Sequence, residues 1–380
     1  MFISLQAKNK IKIVLCVNTA WNIFNFRLGL IRALVSHGYE VLAVAPFDEY
    51  AQQLASLGCR FVALPMDNQG TNPWRDAVLL WRFWRLLRRE RPAAFLGYTI
   101  KPNIYGSMAA HALGIPVINN IAGLGAVFIR DGWLVRVVRA LYRAALKRSS
   151  KVFFQNEDDR RLFVDGGVVN PVLTGLLPGS GVDLTRFSPL GVGVCSSQRV
   201  FRFLLIARML RDKGVVEYVE AARLIRQDRL DVEFCLLGFL DVRNPAAISR
   251  AEMDAWVAAG DVRYLGVSDD VRSEIAAADC IVLPSYREGT PRSLLEAAAM
   301  GKPIITTDAV GCRETVDDGV NGFLCRVRDA EDLARHMKKM LDLVAAQRVA
   351  MGAAGRRKME QQFDERIVIE RYLEALREIV

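Results

Sequence analysis

Short apolar runs alternate with amphipathic segments along the whole chain. In the first half, these runs predict strands at residues 11–17, 40–45, 60–65, 93–99, 116–121 and 151–155. The amphipathic segments between them predict helices at residues 26–37, 48–57, 73–91, 103–113 and 133–149. Strands that are apolar on both faces and are separated by helices are typical of a parallel sheet covered by helices on both sides.

The second half follows the same plan without a detectable sequence repeat. Its predicted strands lie at residues 201–207, 232–238, 262–265, 280–283 and 303–306. Its predicted helices lie at residues 214–226, 246–259, 269–277, 292–300, 330–347 and 366–378. The sequence therefore predicts an α/β protein with two doubly wound parallel sheets.

Prolines and glycines between residues 166 and 199 interrupt regular structure and indicate the join between the two halves. We expect a first domain over residues 1–182 and a second over residues 183–365. A C-terminal helix over residues 366–380 is expected to return to the first domain. Since doubly wound sheets bind ligands at the carboxyl ends of their strands, we expect the site in a cleft between the two domains.

The charge of the chain is uneven. The 380 residues carry a formal net charge of +9. Residues 1–190 hold 23 basic and 12 acidic residues, a surplus of +11, whereas the remainder comes to −2. Within residues 75–151 there are 14 basic and 3 acidic residues. This surplus favours an anionic partner for the first domain, such as phosphates, a membrane surface or nucleic acid.

The patterns of cysteine, histidine and hydropathy narrow the possible classes of protein further. The seven cysteines are scattered without a C-x-x-C pair, and the three histidines lack the spacing of zinc ligands. Residues 1–12 lack the apolar core of a signal peptide. The uncharged stretch at 102–129 is interrupted by prolines, asparagines and glycines. We therefore expect reduced, buried thiols, no metal site, no transmembrane helix and a cytoplasmic location.

Two cations follow the first predicted strand of the second half. Arg208 and Lys213 stand at the carboxyl end of a parallel strand, in a loop that leads into a helix. Cations beside the free N–H groups of a helix N-terminus suit a diphosphate. When this segment is considered alone, a solvated charged loop is the better explanation.

Two carboxylates follow the fourth predicted strand of the second half. Glu288 lies in the loop, Gly289 lets the backbone approach a ligand closely, and Glu296 lies in the next helix. Thr290 and Pro291 are predicted to be the N-cap and the first residue of that helix. Beside a phosphate site, carboxylates suit the hydroxyls of a sugar. A capping role for Glu288 and an exposed helix face for Glu296 explain each residue singly, but not the accompanying basic loop.

Glu288 and Glu296 form an E-x7-E pattern, and the chain resembles family 4 of the retaining glycosyltransferases, which have the GT-B fold of two Rossmann-like domains. The pattern alone is weak, but it belongs to an ordered set of motifs that spans nearly the whole chain. That set also contains residues 178–183, Phe187, Arg208, Lys213, Leu265, Gly266, Gly311, Glu314, Asn321 and Gly322.

The resemblance implies a role for each matching residue. Arg208 and Lys213 would hold the diphosphate of a nucleotide-sugar, Glu288 would bind hydroxyls of the donor sugar, and Glu296 would bind the ribose. Backbone amides would assist at the sugar and phosphate, from Gly289, Thr290, Pro291, Arg292 and Ser293. The base would be lined by Leu265, Gly266 and Val267. The sequence contains no D-x-D motif, so the resemblance implies metal-independent transfer, with a UDP-sugar as donor substrate and no further cofactor.

A narrower resemblance covers three segments of the first half, residues 21–27, 98–106 and 119–128. These are similar to bacterial transferases that add N-acetylhexosamine, often N-acetylgalactosamine, to sugars linked to undecaprenyl diphosphate, in O-antigen, capsule or protein-glycan assembly. The implied acceptor-binding residues are Arg27, Tyr98, Lys101, Asn103, Asn120 and Gly123.

Two predicted helices of the first half carry arginine stripes opposite their apolar faces. At 100° per residue, the tryptophans of the first helix lie at the border between the two faces. Arginine beside interfacial tryptophan suits an anionic membrane. The predicted membrane-facing residues are Trp74, Trp81, Arg82, Arg85, Arg89, Arg136, Arg139 and Arg143. Ordinary solvated helix faces are the alternative, and a nucleic-acid partner is not expected because no binding module is recognisable.

Together these features predict a retaining glycosyltransferase at the inner face of the cell membrane. It is expected to move a sugar, an N-acetylhexosamine by resemblance, from a UDP-sugar to a polyprenyl-diphosphate-linked saccharide. The alternatives are a nucleotide-sugar epimerase of the same fold and a nucleic-acid-binding α/β protein. The sequence leaves the donor sugar, the linkage and the oligomeric state open.

Overall fold

The computed structural model describes residues 10–55, 58–67, 70, 72–123, 133–189, 200–242 and 244–380. Contacts within the chain divide it into two compact units. The first unit contains residues 1–180 and 366–380, and the second contains residues 181–365.

The described residues form thirteen strands. They are β1 (Lys12–Cys16), β2 (Glu40–Ala45), β3 (Arg60–Ala63), β4 (Ala94–Tyr98), β5 (Val117–Ile121), β6 (Lys151–Phe154), β7 (Thr174–Leu176), β8 (Phe201–Ile206), β9 (Val232–Leu237), β10 (Arg263–Tyr264), β11 (Cys280–Leu283), β12 (Ile304–Thr307) and β13 (Gly322–Cys325). The first sheet has the order β3-β2-β1-β4-β5-β6-β7 and the second β10-β9-β8-β11-β12-β13. Neighbouring strands are parallel in both sheets.

Fourteen α-helices connect and follow these strands in the described part of the chain. They are α1 (Ala20–Phe26), α2 (Leu28–Ser36), α3 (Ala51–Ala55), α4 (Pro73–Glu90), α5 (Ser107–Ala112), α6 (Trp133–Leu146), α7 (Glu157–Asp165), α8 (Val215–Arg226), α9 (Arg250–Ala258), α10 (Arg272–Ala277), α11 (Arg292–Ala299), α12 (Ala330–Asp342), α13 (Ala345–Lys358) and α14 (Glu365–Arg377). Two π-helical turns, Pro102–Gly106 and Met359–Phe363, precede α5 and α14.

Both sheets are buried on both faces. In β1, Ile13 and Leu15 pack in a cluster that contains Tyr372 of α14, whereas Val14 packs on the opposite face with Phe83 of α4. Because successive side chains of a strand alternate between faces, an unbroken apolar run is the pattern that a doubly covered sheet requires.

The second sheet is constructed in the same way. Phe203 and Leu205 of β8 pack with Tyr218 of α8, while Leu204 packs with Leu294 of α11 on the other face. The predicted α/β class with two doubly wound parallel sheets is confirmed.

The predicted helix 26–37 differs from the structure. The chain forms two helices, α1 and α2, which meet at Arg27 with φ −128° and ψ 5°. The Thr19 side chain accepts a hydrogen bond from Asn22 N at 3.1 Å and begins α1 earlier than the pattern suggested. As a result, Arg27 is the residue that precedes the amino end of α2.

Several further elements are absent from the sequence prediction or differ from it. Strand β7 lies at Thr174–Leu176, within the segment that was expected to lack regular structure. Helix α7 begins after Asn156, whose side chain caps it, and has an acidic first turn. Strand β13 begins at Gly322, where a Cβ atom would lie 2.1 Å from Ile304 O. The lack of a side chain at Gly322 therefore allows β13 to pair closely with β12. The predicted helix 330–347 is two helices, because Leu343 and Val344 are extended with ψ 138° and 156°.

Candidate functional site

The loop after β8 lies against the loop after β9. Ala207 N donates to Leu237 O at 3.0 Å, and Met209 N donates to Phe239 O at 2.8 Å. Gly238 has φ +139°, and a Cβ atom there would lie 1.9 Å from Ala207 O. Only glycine permits this conformation and this approach, so the loop that carries Arg208 depends on Gly238.

The turn that carries Lys213 lies against the loop after β11. Gly214 has φ +72°, and a Cβ atom there would lie 2.1 Å from Pro284 O. Tyr286 N donates to Asp212 O at 3.0 Å. These contacts bring residues 213 and 288, which are far apart in sequence, to the same edge of the second sheet.

Lys213 and Glu288 form an ion pair at this edge. The Lys213 ammonium contacts Glu288 Oε1, and the two side chains are 18% and 14% exposed. The buried Ser285 hydroxyl lies 2.8 Å from the same Oε1 and 3.0 Å from Asp212 O. Within the described residues, Glu288 Oε2 accepts no hydrogen bond, so one carboxylate oxygen is available to a ligand.

The backbone of Glu288 is supported from behind by the loop after β12. Glu288 N donates to Val310 O at 2.9 Å. Gly311 has φ +83°, and a Cβ atom there would lie 2.3 Å from Glu288 O. Gly311 therefore belongs to the site because it allows this close packing.

The predicted helix at 292–300 begins where the structure begins α11, but the predicted roles of Thr290 and Pro291 at its start are shifted by one residue. Pro291, with φ −75° and ψ 111°, is the N-cap, and the helix begins at Arg292 rather than at Pro291 after a Thr290 cap. The extended ψ of Pro291 excludes it from the helix. The N-cap residue Pro291 provides no side-chain cap for α11, and the positive end of the helix dipole at this end favours an anion.

Glu296 is held by an arginine of its own helix. Arg292 Nε donates to Glu296 Oε1 at 2.9 Å, and the two side chains are 14% and 12% exposed. Burial raises the pKa of Glu296, although the charges of Arg292 and Arg186 act in the opposite direction. Glu296 is thus a carboxyl whose environment favours its protonated form more than water does.

The predicted base-binding segment lies beside the same Gly238. Leu265 N donates to Leu236 O at 2.8 Å, and Gly266 O accepts from Gly238 N at 2.8 Å. Val267 is exposed. The structure therefore brings Leu265, Gly266 and Val267 to the strand ends that also carry the Arg208 loop.

Arg208 differs from the other basic residues of this site. Its side chain is exposed, and nothing in the described ranges forms an ion pair or hydrogen bond with its guanidinium. It is a cation without an internal counter-ion, available to an anionic ligand.

Sequence reasoning missed two contacts that shape this edge. The first is the Ser285 hydroxyl, and the second is the hydrogen bond from Tyr286 OH to Glu217 Oε1 at 2.5 Å. Burial raises the pKa of Tyr286 well above its usual range, and the Glu217 carboxylate adds to this. The sequence indicates the Ser285 contact through the position of this residue, which lies between a buried strand and Glu288.

In the first unit, three asparagines form a buried network. Asn103 Nδ2 donates to Asn120 O at 2.8 Å, and Asn119 Nδ2 donates to Asn103 Oδ1 at 2.9 Å. Asn120 Nδ2 donates to Tyr372 OH at 3.0 Å. The amides of Asn103 and Asn120, predicted to bind the acceptor, are thus occupied in joining β5 to the turn after β4 and to α14.

Lys101 is paired rather than free. Its ammonium lies 2.7 Å from Asp76 Oδ1, and Tyr105 OH donates to Asp76 Oδ2 at 2.8 Å. Lys101 and Asp76 line a cavity of about 430 Å³ that Trp74 and Arg82 also line. Gly123, with φ +116°, is described, but residues 124–128 of the same predicted segment lie outside the described residues.

Arg27 lies over an aromatic ring of β4. Its guanidinium carbon is 4.4 Å from the centroid of Tyr98, whose ring is 6.0 Å from that of Tyr372. Arg27 is 6% exposed and Tyr98 is 1% exposed. These two predicted acceptor residues are therefore in contact with each other.

Helix α4 presents apolar and basic side chains to solvent together. Trp74 is 82% exposed and Trp81 is 53% exposed. Arg85 and Arg88 lie over the rings of Trp81 and Trp84 at 5.5 and 4.9 Å. Neither arginine has a carboxylate partner in the part of the chain that the structure describes.

The other predicted membrane-facing arginines are largely engaged in the protein. Arg82 donates to Pro65 O at 2.8 Å, Arg89 pairs with Glu90 at 3.0 Å, and Arg143 donates to Gly166 and Gly167 carbonyls. On α6, Arg136 is exposed and Arg139 is partly exposed. Among the described helices, none is both long and apolar enough to cross a membrane.

Two family models match the chain. The model described as glycosyl transferase 4-like domain matches residues 26–177, and that described as glycosyl transferases group 1 matches residues 200–343. A Campylobacter jejuni relative, N,N'-diacetylbacillosaminyl-diphospho-undecaprenol alpha-1,3-N-acetylgalactosaminyltransferase, is 30% identical over 374 residues, 93% of this chain and 94% of the relative. The chain belongs to this glycosyltransferase family.

Two further proteins resemble the chain at lower sequence identity. UDP-Gal:alpha-D-GlcNAc-diphosphoundecaprenol alpha-1,3-galactosyltransferase of Escherichia coli is 25% identical, over 70% of this chain and 71% of the relative. The crystal structure of Anabaena HepE in complex with UDP-glucose matches with a TM-score of 0.78 at 19% identity, covering 97% of this chain and 99% of HepE. The predicted glycosyltransferase family and GT-B fold are confirmed. These matches give no support to the epimerase or the nucleic-acid alternative.

Proposed function

We propose that this glycosyltransferase moves an N-acetylhexosamine from a UDP-sugar to a saccharide linked to polyprenyl diphosphate, with retention and without a metal. The observation that carries the proposal is the cluster of Lys213, Ser285 and Glu288 at the carboxyl edge of the second sheet. The printed name of the C. jejuni relative, which transfers N-acetylgalactosamine to a diphospho-undecaprenol-linked sugar, supports the substrate class.

The charges of the cluster match the two parts of such a donor. Lys213 has three N–H donors, so it can keep its contact with Glu288 and still donate to a phosphate oxygen. Arg208 supplies a second cation, which has no partner in the described ranges, and the positive end of the α11 dipole adds to the attraction for an anion. Glu288 Oε2 is available to accept hydrogen bonds from sugar hydroxyls. The carboxylate therefore orients the sugar while the cations hold the diphosphate.

In the proposed reaction, the bond between the anomeric carbon and the β-phosphate oxygen breaks, and the acceptor hydroxyl oxygen forms a bond to that carbon on the same face. The hydroxyl proton passes to an oxygen of the departing UDP. Negative charge grows on the diphosphate as the bond breaks, so the fixed cations Arg208 and Lys213 stabilise the transition state more than the ground state.

The nucleoside part of the donor is assigned to the neighbouring strand ends. Glu296 would bind the ribose hydroxyls, and residues 265–267 would line the base. Arg292 holds the Glu296 carboxylate at 2.9 Å, which orients it without occupying both oxygens. In the first unit, we assign the acceptor to the region of Arg27, Tyr98 and Lys101.

We further propose that the first unit lies on an anionic membrane through α4, at the inner face of the cell membrane. Exposed Trp74 and Trp81 suit the interfacial region, and Arg85 and Arg88 are two cations without internal carboxylate partners. Such a surface would give the enzyme access to an acceptor whose polyprenyl chain is held in the bilayer.

A panel of UDP-sugars and short-chain polyprenyl-diphosphate-sugar acceptors tests the reaction, with the product linkage and anomeric configuration determined by NMR. We expect transfer from a UDP-N-acetylhexosamine, an α-linked product from an α-linked donor, and full activity in EDTA. Glu288→Gln should lower kcat about 100-fold, the size expected for losing hydrogen bonds to a charged group. UDP should bind as tightly or more tightly, because Lys213 then lacks its negative partner.

The matched control is Glu360→Gln, which removes an exposed carboxylate that pairs with Arg356 in the same unit. Its kcat should stay within about 2-fold of wild type, as surface pairs contribute little. If Glu288→Gln retains full turnover, or if no acceptor of this class is glycosylated, the proposed function is wrong.

A further inference from the structure

Arg27 is a buried cation with few partners. It is 6% exposed, and its Nη1 donates to Phe26 O at 3.0 Å. Its Nε is buried and makes no hydrogen bond. No carboxylate of the described residues lies within ion-pair distance of the guanidinium.

Other cations that lie deep in this protein have counter-ions. Lys101 pairs with Asp76 at 2.7 Å, and Lys358 pairs with Asp317 at 2.7 Å. A guanidinium that is taken out of water without an anion is strongly destabilising. Arg27 is therefore an exception for which the fold alone offers no compensating negative charge.

The aromatic contact offsets only part of this cost. The guanidinium carbon lies 4.4 Å from the centroid of the Tyr98 ring, and that contact fixes the plane of the side chain. The charge of Arg27 also acts on Tyr372 of α14, where it lowers a pKa that burial raises. The ring systems hold Arg27 in place but do not neutralise it.

The residue stands at the amino end of α2. Arg27 is the N-cap of this nine-residue helix, and no side chain caps it. The N–H groups of Leu28, Gly29 and Leu30 accordingly have no cap partner among the described residues, and the helix dipole favours negative charge at this end. Since Arg27 Nη1 contacts Phe26 O, directly before α2, the guanidinium lies beside this uncapped helix end.

We propose that Arg27 and the amino end of α2 form a binding site for a phosphate group. The guanidinium presents parallel donors that match two phosphate oxygens, and backbone N–H groups can serve another. Resting on the proposed function, we assign this phosphate to the diphosphate of the polyprenyl-linked acceptor. Lys101, which is already neutralised by Asp76, is then the less favoured of the two predicted acceptor cations.

The melting temperature of a variant distinguishes a ligand-binding role of Arg27 from a structural role. Arg27→Met keeps the length of the side chain and removes the charge. If Arg27 awaits an anion, the Met variant should melt at the same temperature as wild type or higher, since removing an uncompensated buried charge does not destabilise. If Arg27 is needed for folding, the variant should melt lower, and that result would overturn the proposal.

Binding measurements supply the second arm. The donor site is first saturated with UDP, and the full-length protein is then titrated with farnesyl diphosphate, farnesyl phosphate, farnesol or inorganic phosphate. For wild type, we expect the farnesyl phosphates to bind and to raise the melting temperature. Arg27→Met should bind the diphosphate at least about 10-fold more weakly, while farnesol binding is equal in both proteins.

The matched control is Arg32→Met, which removes an exposed arginine from the same helix and should change none of these values. Equal binding of farnesyl diphosphate by wild type and Arg27→Met overturns the site. If inorganic phosphate binds wild type as tightly as farnesyl diphosphate, the assignment to the acceptor is overturned. Glu288→Gln should retain farnesyl diphosphate binding, so failure of the catalytic proposal is distinguishable from failure of this one.

Discussion

The two units differ in how they neutralise the cations near their ligand-binding residues. In the second unit, Lys213 pairs with Glu288 and Arg292 pairs with Glu296. In the described part of the first unit, Lys101 pairs with Asp76, whereas Arg27, Arg85 and Arg88 have no carboxylate partner. The net charge of the chain, +9, conceals this difference because it counts paired and unpaired cations alike.

The difference indicates what each unit binds. A cation next to a carboxylate offers donors and acceptors together, which suits a ligand with both phosphates and hydroxyls. Arg208, the exposed cation without a partner, leaves a net positive charge for the diphosphate. Cations without partners favour an external anion, because that anion supplies the charge that the fold lacks. Under the proposed function, the second unit would bind the sugar nucleotide and the first unit would bind the phosphate-bearing lipid.

The largest expected effect concerns the α4 surface. Replacing both Arg85 and Arg88 with Gln should weaken binding to anionic vesicles about 30-fold, at about 1 kcal/mol for each charge near the surface. Liposome flotation with phosphatidylglycerol vesicles at low salt measures this, and binding should fall further at high salt.

The control variant for that experiment has the same net charge as the variant that lacks Arg85 and Arg88. Arg357 and Arg377 are exposed and lie on α13 and α14, and replacing both with Gln should leave vesicle binding within about 2-fold. Equal loss in both double variants would mean that only total charge matters, and the special role given to the α4 surface would then fail.

The next effect concerns the Ser285 hydroxyl. Ser285→Ala removes a buried donor from Glu288 Oε1 and Asp212 O. If this hydroxyl positions the carboxylate, kcat should fall about 10-fold, the usual size for one such bond, while UDP affinity changes little. Ser285→Thr, which retains the hydroxyl, should recover most of the loss. Equal losses in kcat and in UDP affinity would indicate a general distortion of the loop instead.

The fold was predictable where the hydrophobic pattern is strong. Strands such as β1 and β8 contain continuous apolar runs, at residues 13–17 and 203–207, and their position in a doubly covered sheet follows from that pattern. Helix α7 was not predicted, because its first turn is acidic and its amino end depends on the Asn156 cap. Strand β13 was hidden because Asn321-Gly322 has the composition of a turn, although Gly322 serves close strand pairing.

The site was predictable at the level of residues but not of contacts. The order of motifs indicated Arg208, Lys213, Glu288 and Glu296. Their pairings depend on which loops meet at the sheet edge, and this is decided by contacts between residues that are distant in sequence. The lack of a partner for Arg27 is likewise visible only once every neighbouring carboxylate has been located.

The smallest expected effect tests the cost of a buried carboxylate in the second unit. Burial raises the pKa of Glu296, so its neutral form is favoured in the folded state compared with the unfolded state. Its contribution to the free energy of unfolding is therefore complete below the ordinary pKa of about 4.5 and is lost as the pH rises through the raised value. Glu296→Gln mimics the neutral form. Its melting temperature should match wild type near pH 4 and exceed it slightly at pH 8, as measured by calorimetry across that range.

A variant that is less stable at pH 8 than at pH 4, relative to wild type, would mean that the pair with Arg292 outweighs burial. In that case, the ion pair between Glu296 and Arg292 would itself stabilise the folded second unit in the absence of a donor.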